Sequence, residues 1–543
     1  MVRRALNILF SKISGLREAA FWLSVFAFFS QLLALARDRL LAHFFGAGLE
    51  LDIYYAAFKV PDIIFVSVAS LVSISALVPL FAKKETSGDK HLKESSNSIL
   101  TVFLFTVVLV SVLAWIFMPR IITIFFGEFG SLGILKVISL SRLLLLSPIL
   151  LGLSNFFGSI VQYEKRFILY SISPLLYNMG IIMGIVFGLE EWGVYGVGFG
   201  VILGALLHML LQATFVFASS MRPRLTFKIN WKEIKEIAYI SIPRTFALSI
   251  VTIVSFVFAS LAARFGEGSV AVFNLAFNLQ SAPLSLIGVS FSLAAFPSIA
   301  ISVAKGGREE VVAKISEGLR QIIFWSLPAI ALSIVLRAHL VRVVLGSGNF
   351  DWSATRLTAA IFAVFVLSSV FQSLQLFFSR SFYALGKTRL PLIANLVGGF
   401  ITILLAFLFI NYSGFDSSLY LMARFLDVEN FGFRILILPL AFTLGSAFTA
   451  FFLFAGFGDM RNSIYKNVSN ILIPNILASL IAGFVAYIVL GVTHSLFDLE
   501  SFLGVLGHGF LAGIFGIVAF TLGMFFMKSE EIREILKYAK TGN

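Results

Sequence analysis

The sequence predicts an all-α polytopic membrane protein with about fourteen transmembrane helices. Three observations carry this expectation. The 543 residues are 59% apolar and only 13% charged, against roughly 45–50% and 25% in soluble domains. The apolar residues gather into fourteen stretches, long enough as helices to match a hydrocarbon core of ~30 Å. The 41 Lys and Arg residues fall mainly in alternate connections between those stretches, as the positive-inside rule requires.

The first stretch, 19–46, follows Arg3, Arg4, Lys12 and Arg17. It is too long for the apolar region of a cleaved signal and ends on no small-residue cleavage site. The second, 52–82, carries Asp52, Lys59 and Asp62 and runs to Pro79. The third and fourth cover 95–118 and 133–161, with Arg142 in the fourth. The fifth, 167–188, contains Pro174 and Asn178, and the sixth, 192–218, contains His208 and Gln212. A basic linker, 219–236, leads to the seventh, 237–264, which carries Pro243 and Arg244. The eighth, 268–303, runs past Pro297. The remaining stretches cover 320–345, 354–385, 390–413, 432–457, 468–493 and 501–527. All exceed the ~9–11 residues of a membrane barrel strand.

Charge fixes the orientation. With the N-terminus in the cytoplasm, 28 Lys and Arg lie on the inner side, 8 on the outer side and 5 within the segments. An odd number of crossings would scramble this bias, so count and orientation support each other. The net charge of +13 therefore reads as topology and contact with anionic lipid rather than nucleic-acid binding.

The chain also matches itself. Leu77-Val78-Pro79 and Ala295-Phe296-Pro297 place their prolines 218 residues apart. Tyr163, Lys165 and Arg166 follow the fourth segment as Tyr383, Lys387 and Arg389 follow the tenth, with the tyrosines 220 apart. A steady offset over six segments implies a duplicated six-helix unit. Because six is even, the copies run in the same orientation, a parallel repeat. The expected organisation is an N-lobe over 1–218, the linker 219–236, a C-lobe over 237–460, and two extra helices with a tail over 461–543. Transport folds of this kind bind substrate between the lobes near the midplane.

Ionisable groups inside spanning segments cost roughly 2.5–3.5 kcal/mol each on insertion scales, so each needs a partner or a polar chamber. The N-lobe holds Arg37, Asp38, Arg39, Asp52, Lys59, Asp62 and Arg142, and the C-lobe adds Arg244. A structural reading makes them helix-locking pairs or snorkelling ends. A functional reading makes them a cationic chamber for an anionic substrate, since the fixed donor fork of arginine suits phosphate. Asp52 is expected to pair with Arg37 across helices, and Asn178 to serve carbonyls freed by Pro174. His208 and His508 read as packing residues.

Absences narrow the chemistry. There is no cysteine, so disulfides, thiolate metal sites and cysteine nucleophiles are excluded. No histidine forms a metal-spaced pair. Gly386-Lys387-Thr388 lacks the earlier glycine of a P-loop, with Ser381 in its place. No Gly-x-Ser-x-Gly elbow occurs. A transporter rather than an enzyme is expected. It would need no cofactor or metal and would be driven by a gradient, the membrane potential or exchange.

Ala36-Arg37-Asp38, Phe45-Gly46-Ala47-Gly48, Asp52 and Ala57-Phe58-Lys59-Val60-Pro61 together resemble the MurJ/MviN family, as does Leu77-Val78-Pro79. Ser173-Pro174 with Asn178, Gly204 with Gln212, Gly346 through Asp351, and Phe382-Tyr383-Ala384 with Thr388 and Pro391 extend the match along the chain. These are lipid II flippases of the MOP superfamily. The resemblance implies two six-helix lobes plus two C-terminal helices that accommodate a lipid tail. It implies movement of an undecaprenyl-diphosphate-linked disaccharide-pentapeptide to the outer leaflet of the bacterial cytoplasmic membrane, with both termini inside. Implied partners are that lipid, the surrounding membrane lipids and cell-wall synthesis proteins. Arg37 and Asp52 match functionally important family positions, and Asp38 and Lys59 match motif positions. Gln31, Phe65 and Asn278 stand where the fuller pattern has arginine, so Arg142 and Arg244 are expected to compensate. The expected mechanism is alternating access, with Arg37, Lys59 and Arg142 on the pyrophosphate and Arg244 closing from the other lobe. Another polyprenyl-diphosphate glycan is the alternative substrate, and a non-transporting scaffold the alternative role.

Overall fold

The computed structural model describes residues 12, 16–69, 72, 77–78, 80–81, 89–428 and 432–533. The described residues are almost wholly helical, because apolar backbone in lipid must satisfy its own hydrogen bonds. They form two compact units, Met1–Val270 and Ala271–Asn543.

The first unit contains α1 (Leu16–Phe45), α2 (Leu49–Ile64), α3 (Asp89–Phe125), α4 (Gly130–Leu144), α5 (Leu146–Tyr163), α6 (Phe167–Trp192), α7 (Val194–Ala218) and α8 (Trp231–Ala263). α9 (Ser269–Pro283) begins at its end. The second unit continues with α10 (Ser290–Ala304), α11 (Arg308–Val335), α12 (Arg337–Leu345), α13 (Trp352–Ala384), α14 (Arg389–Asn411), α15 (Asp416–Phe425), α16 (Ile437–Ala455), α17 (Met460–Thr493) and α18 (Phe502–Phe526).

Twelve helical runs among the described residues are long and apolar enough to cross a membrane, so the all-α polytopic class holds while the count of fourteen is not confirmed. The second and seventh expected segments are the two that fall outside. α2 carries Glu50, Asp52, Lys59 and Asp62, and α8 opens on a charged turn and yields only the short apolar run Ser249–Ala263.

α2 and α9 share a feature. Each passes directly into a π-helical segment, Phe65–Ala69 and Leu284–Val289. Their starts are 219 residues apart, within the 218–220 spacing of the sequence repeat. Pro79 itself lies outside the described residues.

α6 and α7 form the closest pair in the first unit. Gly180, Gly184 and Gly188 recur every four residues on one helix, and Gly196, Gly200 and Gly204 on the other. This spacing puts each set on one face. A Cβ on Gly184 would sit 2.6 Å from Gly200 Cα, and one on Gly188 would sit 2.9 Å from Gly196 Cα. The backbones therefore touch, as small-residue seams in membranes allow. Gly193 makes the turn at φ +54°, a region closed to most side chains.

In the second unit α11, α13, α17 and α18 share a buried core that includes Ile315, Phe324, Phe377, Ala478 and Phe520. Below it Arg320 fastens the chain after α18. Its Nε donates to Glu531 Oε1 at 2.8 Å and its Nη2 to Glu530 Oε2 at 2.7 Å. The Glu531 side chain is 5% exposed and that of Glu530 is 73%. Breaking a buried pair costs about 3–5 kcal/mol, and an exposed pair contributes about 0–1 kcal/mol. Glu531→Ala is thus expected to lower the melting temperature of the purified protein far more than Glu530→Ala. Equal shifts in a thermal melt would refute the burial argument.

Candidate functional site

Arg37 sits on α1, eight residues before the helix ends. Its guanidinium is tied down on two sides. Nε and Nη2 both donate to Asp38 Oδ1, at 3.0 and 2.7 Å. Nη1 donates to Asn178 Oδ1 of α6 at 3.1 Å. Asn178 is itself oriented, because its Nδ2 donates to Pro174 O at 3.2 Å and Ser30 Oγ at 3.4 Å. The carbonyl it serves is that of Pro174, not of Tyr170, whose partner the proline removes. Arginine has five N–H donors. Three are used here, and one on each Nη remains. Donors left on a guanidinium suit the oxygens of a phosphate.

The surroundings are phenolic and charged. Tyr54 and Tyr55 of α2 and Tyr177 of α6 lie within electrostatic reach of Arg37. Asp62 acts on Tyr54, Tyr177 and Lys59. Lys59 is buried and its Nζ donates to Ser255 Oγ of α8 at 3.1 Å.

Asp52 has a different place from the one expected. It does not pair with Arg37. Its carboxylate is fully buried, and Oδ2 accepts from Gly268 N at 2.7 Å, just ahead of α9. The reason lies at the helix ends, where the first N–H groups lack helical acceptors. Gly48 precedes α2 and has no side chain to cap it, so Glu267 Oε1 accepts from Leu49 N at 3.0 Å. The two loops therefore cap each other. Gly268 has φ +81°, and a Cβ there would strike Ala47 O, so glycine is required twice over. Asp52→Ala leaves a buried N–H unpaired, at about 1–3 kcal/mol. It is expected to speed amide hydrogen exchange over 266–269; unchanged protection would refute the cap.

Arg142 does not join the Arg37 group either. Its Nε donates to Trp115 O at 3.1 Å, and its guanidinium lies 4.2 Å from the Trp115 ring centroid. Stacking on a half-exposed tryptophan holds it there. Arg244 lies on α8, and its side chain lies outside the described residues.

The remaining polar groups are met by packing partners. Ser154 Oγ bonds His208 Nδ1 at 2.7 Å, and Gln212 Nε2 donates to Ser173 Oγ at 3.0 Å. His508 lies 3.0 Å from both His339 Nε2 and Leu490 O. Among the described residues no group of three or more His, Cys, Asp or Glu has metal-binding geometry.

Sequence reasoning passed over Tyr54, Tyr55, Tyr177 and Glu267. Phenols in an apolar helix read as packing. Glu267 had a signal, since Phe45-Gly46-Ala47-Gly48 recurs as Phe265-Gly266-Glu267-Gly268, 220 residues later.

Comparison with known proteins adds to this geometry. Residues 41–507 match the family model described as lipid II flippase MurJ. A probable lipid II flippase MurJ of Borreliella burgdorferi is 22% identical over 86% of this chain and 95% of its own length. One of Thermotoga maritima is 24% identical over 95% and 97%. Among solved structures, a lipid II flippase MurJ in an inward closed conformation superposes with TM-score 0.74 at 21% identity, over 93% of this chain and 99% of that one. An inward-facing multidrug-resistance MATE transporter of the MOP superfamily gives 0.66 at 16% identity, over 81% and 96%.

Proposed function

The chain belongs to the lipid II flippase MurJ family, and from that membership we propose that it moves lipid II to the outer leaflet of the bacterial cytoplasmic membrane by alternating access. It is a multi-pass membrane protein and acts as a transporter. The observation that carries the substrate reading is the Arg37 fork. Asp38 and Asn178 hold it, and two N–H groups remain for an anion. A diphosphate on a polyprenyl carrier offers the matching oxygens. Lys59, buried on α2, is the proposed second positive charge, and Arg244 is the proposed contact from α8. Arg142, engaged by Trp115, is left out of the diphosphate set. Asp52 acts at the capped loops rather than on the lipid. The π segments in α2 and α9, at the repeat offset, support a duplicated six-helix unit. Both termini on the cytoplasmic side follow from the bias of 28 basic residues to 8.

The test is transport of labelled lipid II by the full chain in proteoliposomes, with unlabelled competitors. Lipid II should compete best. Undecaprenyl diphosphate bearing a different glycan should compete less, because the headgroup must also cross. Equal transport of an unrelated glycan lipid would replace lipid II with a broader substrate class.

A further inference from the structure

The basic linker over 219–236 has a structure of its own. It runs from α7 to α8 against the start of α3, and hydrogen bonds hold it there at successive points. Arg224 N donates to Asn97 Oδ1 at 2.6 Å, and Thr226 N to Thr101 Oγ1 at 3.0 Å. Ser98 Oγ donates to Lys228 O and accepts from Asn230 N, both at 3.4 Å. At the entry to α8, Asn230 Oδ1 accepts from Glu233 N at 3.4 Å, and the Glu233 carboxylate accepts from Ser95 Oγ at 2.6 Å. Met221 and Pro223 are buried. The side chains that this segment presents are therefore set by the fold.

Those side chains are cationic and apolar in alternation. Arg222, Arg224, Lys228, Lys232 and Lys235 are exposed. Arg222 lies 5.7 Å from the Phe217 ring centroid. No ion pair engages Arg224, Lys228, Lys232 or Lys235 among the described residues, and Glu233 is turned in to α3. Between the cations Phe227 is fully exposed, and Leu225, Trp231 and Tyr239 are each at least 60% exposed. Trp231, Lys235 and Tyr239 are spaced by four, so the first turns of α8 carry the same mixture along one face.

α3 sets the depth. Its 37 residues make roughly 55 Å of helix against a hydrocarbon core of ~30 Å, so part of it must project. The linker bonds to Asn97, Ser98 and Thr101, where the polar run Glu94-Ser95-Ser96-Asn97-Ser98 gives way to apolar sequence from Ile99. Such a junction is where a spanning helix meets the headgroups. Trp beside Lys and Arg is the side-chain mixture of an interfacial segment, with the ring in the acyl boundary and the cations on anionic lipid.

We propose that the linker is an anionic-lipid anchor: Leu225, Phe227 and Trp231 enter the headgroup region of the bilayer, and Arg224, Lys228 and Lys232 hold anionic phospholipid around them. The anchor is independent of which lipid is transported.

The chain has no cysteine, so Phe227→Cys gives a single labelling site on a side chain exposed to its full extent. The full chain carries an environment-sensitive dye there and is placed in nanodiscs of phosphatidylcholine, with or without phosphatidylglycerol. Brominated acyl chains should quench the dye about twofold more strongly when phosphatidylglycerol is present, and added salt should remove the difference. A dye that responds to aqueous iodide and not to brominated chains in either bilayer would overturn the proposal, and would leave the surface to an acidic protein partner. Equal quenching in the two bilayers would overturn it as well, since the cations would then select no lipid. The wild-type charges thus carry the test by themselves. Arg224→Gln, Lys228→Gln and Lys232→Gln together should abolish the phosphatidylglycerol dependence with the melting temperature unchanged. Dependence that survives this variant would move the lipid site elsewhere on the chain and overturn the assignment to the linker.

Discussion

Arg37→Ala abolishes transport of lipid II while the protein remains folded and inserted. The substitution removes the one guanidinium that Asp38 and Asn178 aim. Hydrogen bonds to charged groups contribute about 1.5–3 kcal/mol each, so losing a bidentate contact should weaken diphosphate binding by at least ~10-fold and transport by more. Arg37→Lys should recover little, because an ammonium presents a point charge where the site offers a planar fork. Stability should change less than function. Asn178 keeps its bonds to Pro174 and Ser30, although Asp38 loses a partner. The measurement is lipid II translocation in proteoliposomes beside a melting curve of the same preparation. Transport near the wild-type rate would sink the assignment, and a collapsed melt would mean that Arg37 serves the fold.

The fold class was legible because lipid imposes its length on every crossing helix and the basic residues mark alternate loops. The segment hardest to place by hydropathy is the one that carries the site. Glu50, Asp52, Lys59 and Asp62 make α2 too polar to pass as a span, and the same residues drew attention to it. What stayed illegible was pairing. Neighbouring residues on a helix do not normally face each other, and Arg37 bonds Asp38 because the long arginine side chain folds back to its neighbour. Asp52 was assigned to Arg37 because both are charged and both lie in membrane segments. The sequence could not show that Glu267 would accept from the first N–H of α2 while Asp52 accepts from Gly268 N just ahead of α9.

Gly184→Val prevents stable assembly of the first unit, although it adds only three carbons to a residue far along the chain from Arg37. A Cβ at this position would lie 2.6 Å from Gly200 Cα, and the opposing atoms are backbone. No rotamer change relieves such a contact, so α6 and α7 must separate. Overpacking costs about 1–3 kcal/mol where side chains can adjust, and a rigid backbone seam should exceed that range. Separation also reaches the site, because α6 carries Asn178 and Tyr177. Gly491→Ala is the control. It lies in α17, where an added Cβ would meet nothing within 4 Å, and helix propensity favours alanine by about 1 kcal/mol. Gly491→Ala should therefore melt at or above the wild-type temperature, while Gly184→Val fails to yield a monodisperse protein in detergent. Normal behaviour of Gly184→Val would mean that the seam can open without loss, and that α6 holds Asn178 against Arg37 by some other contact.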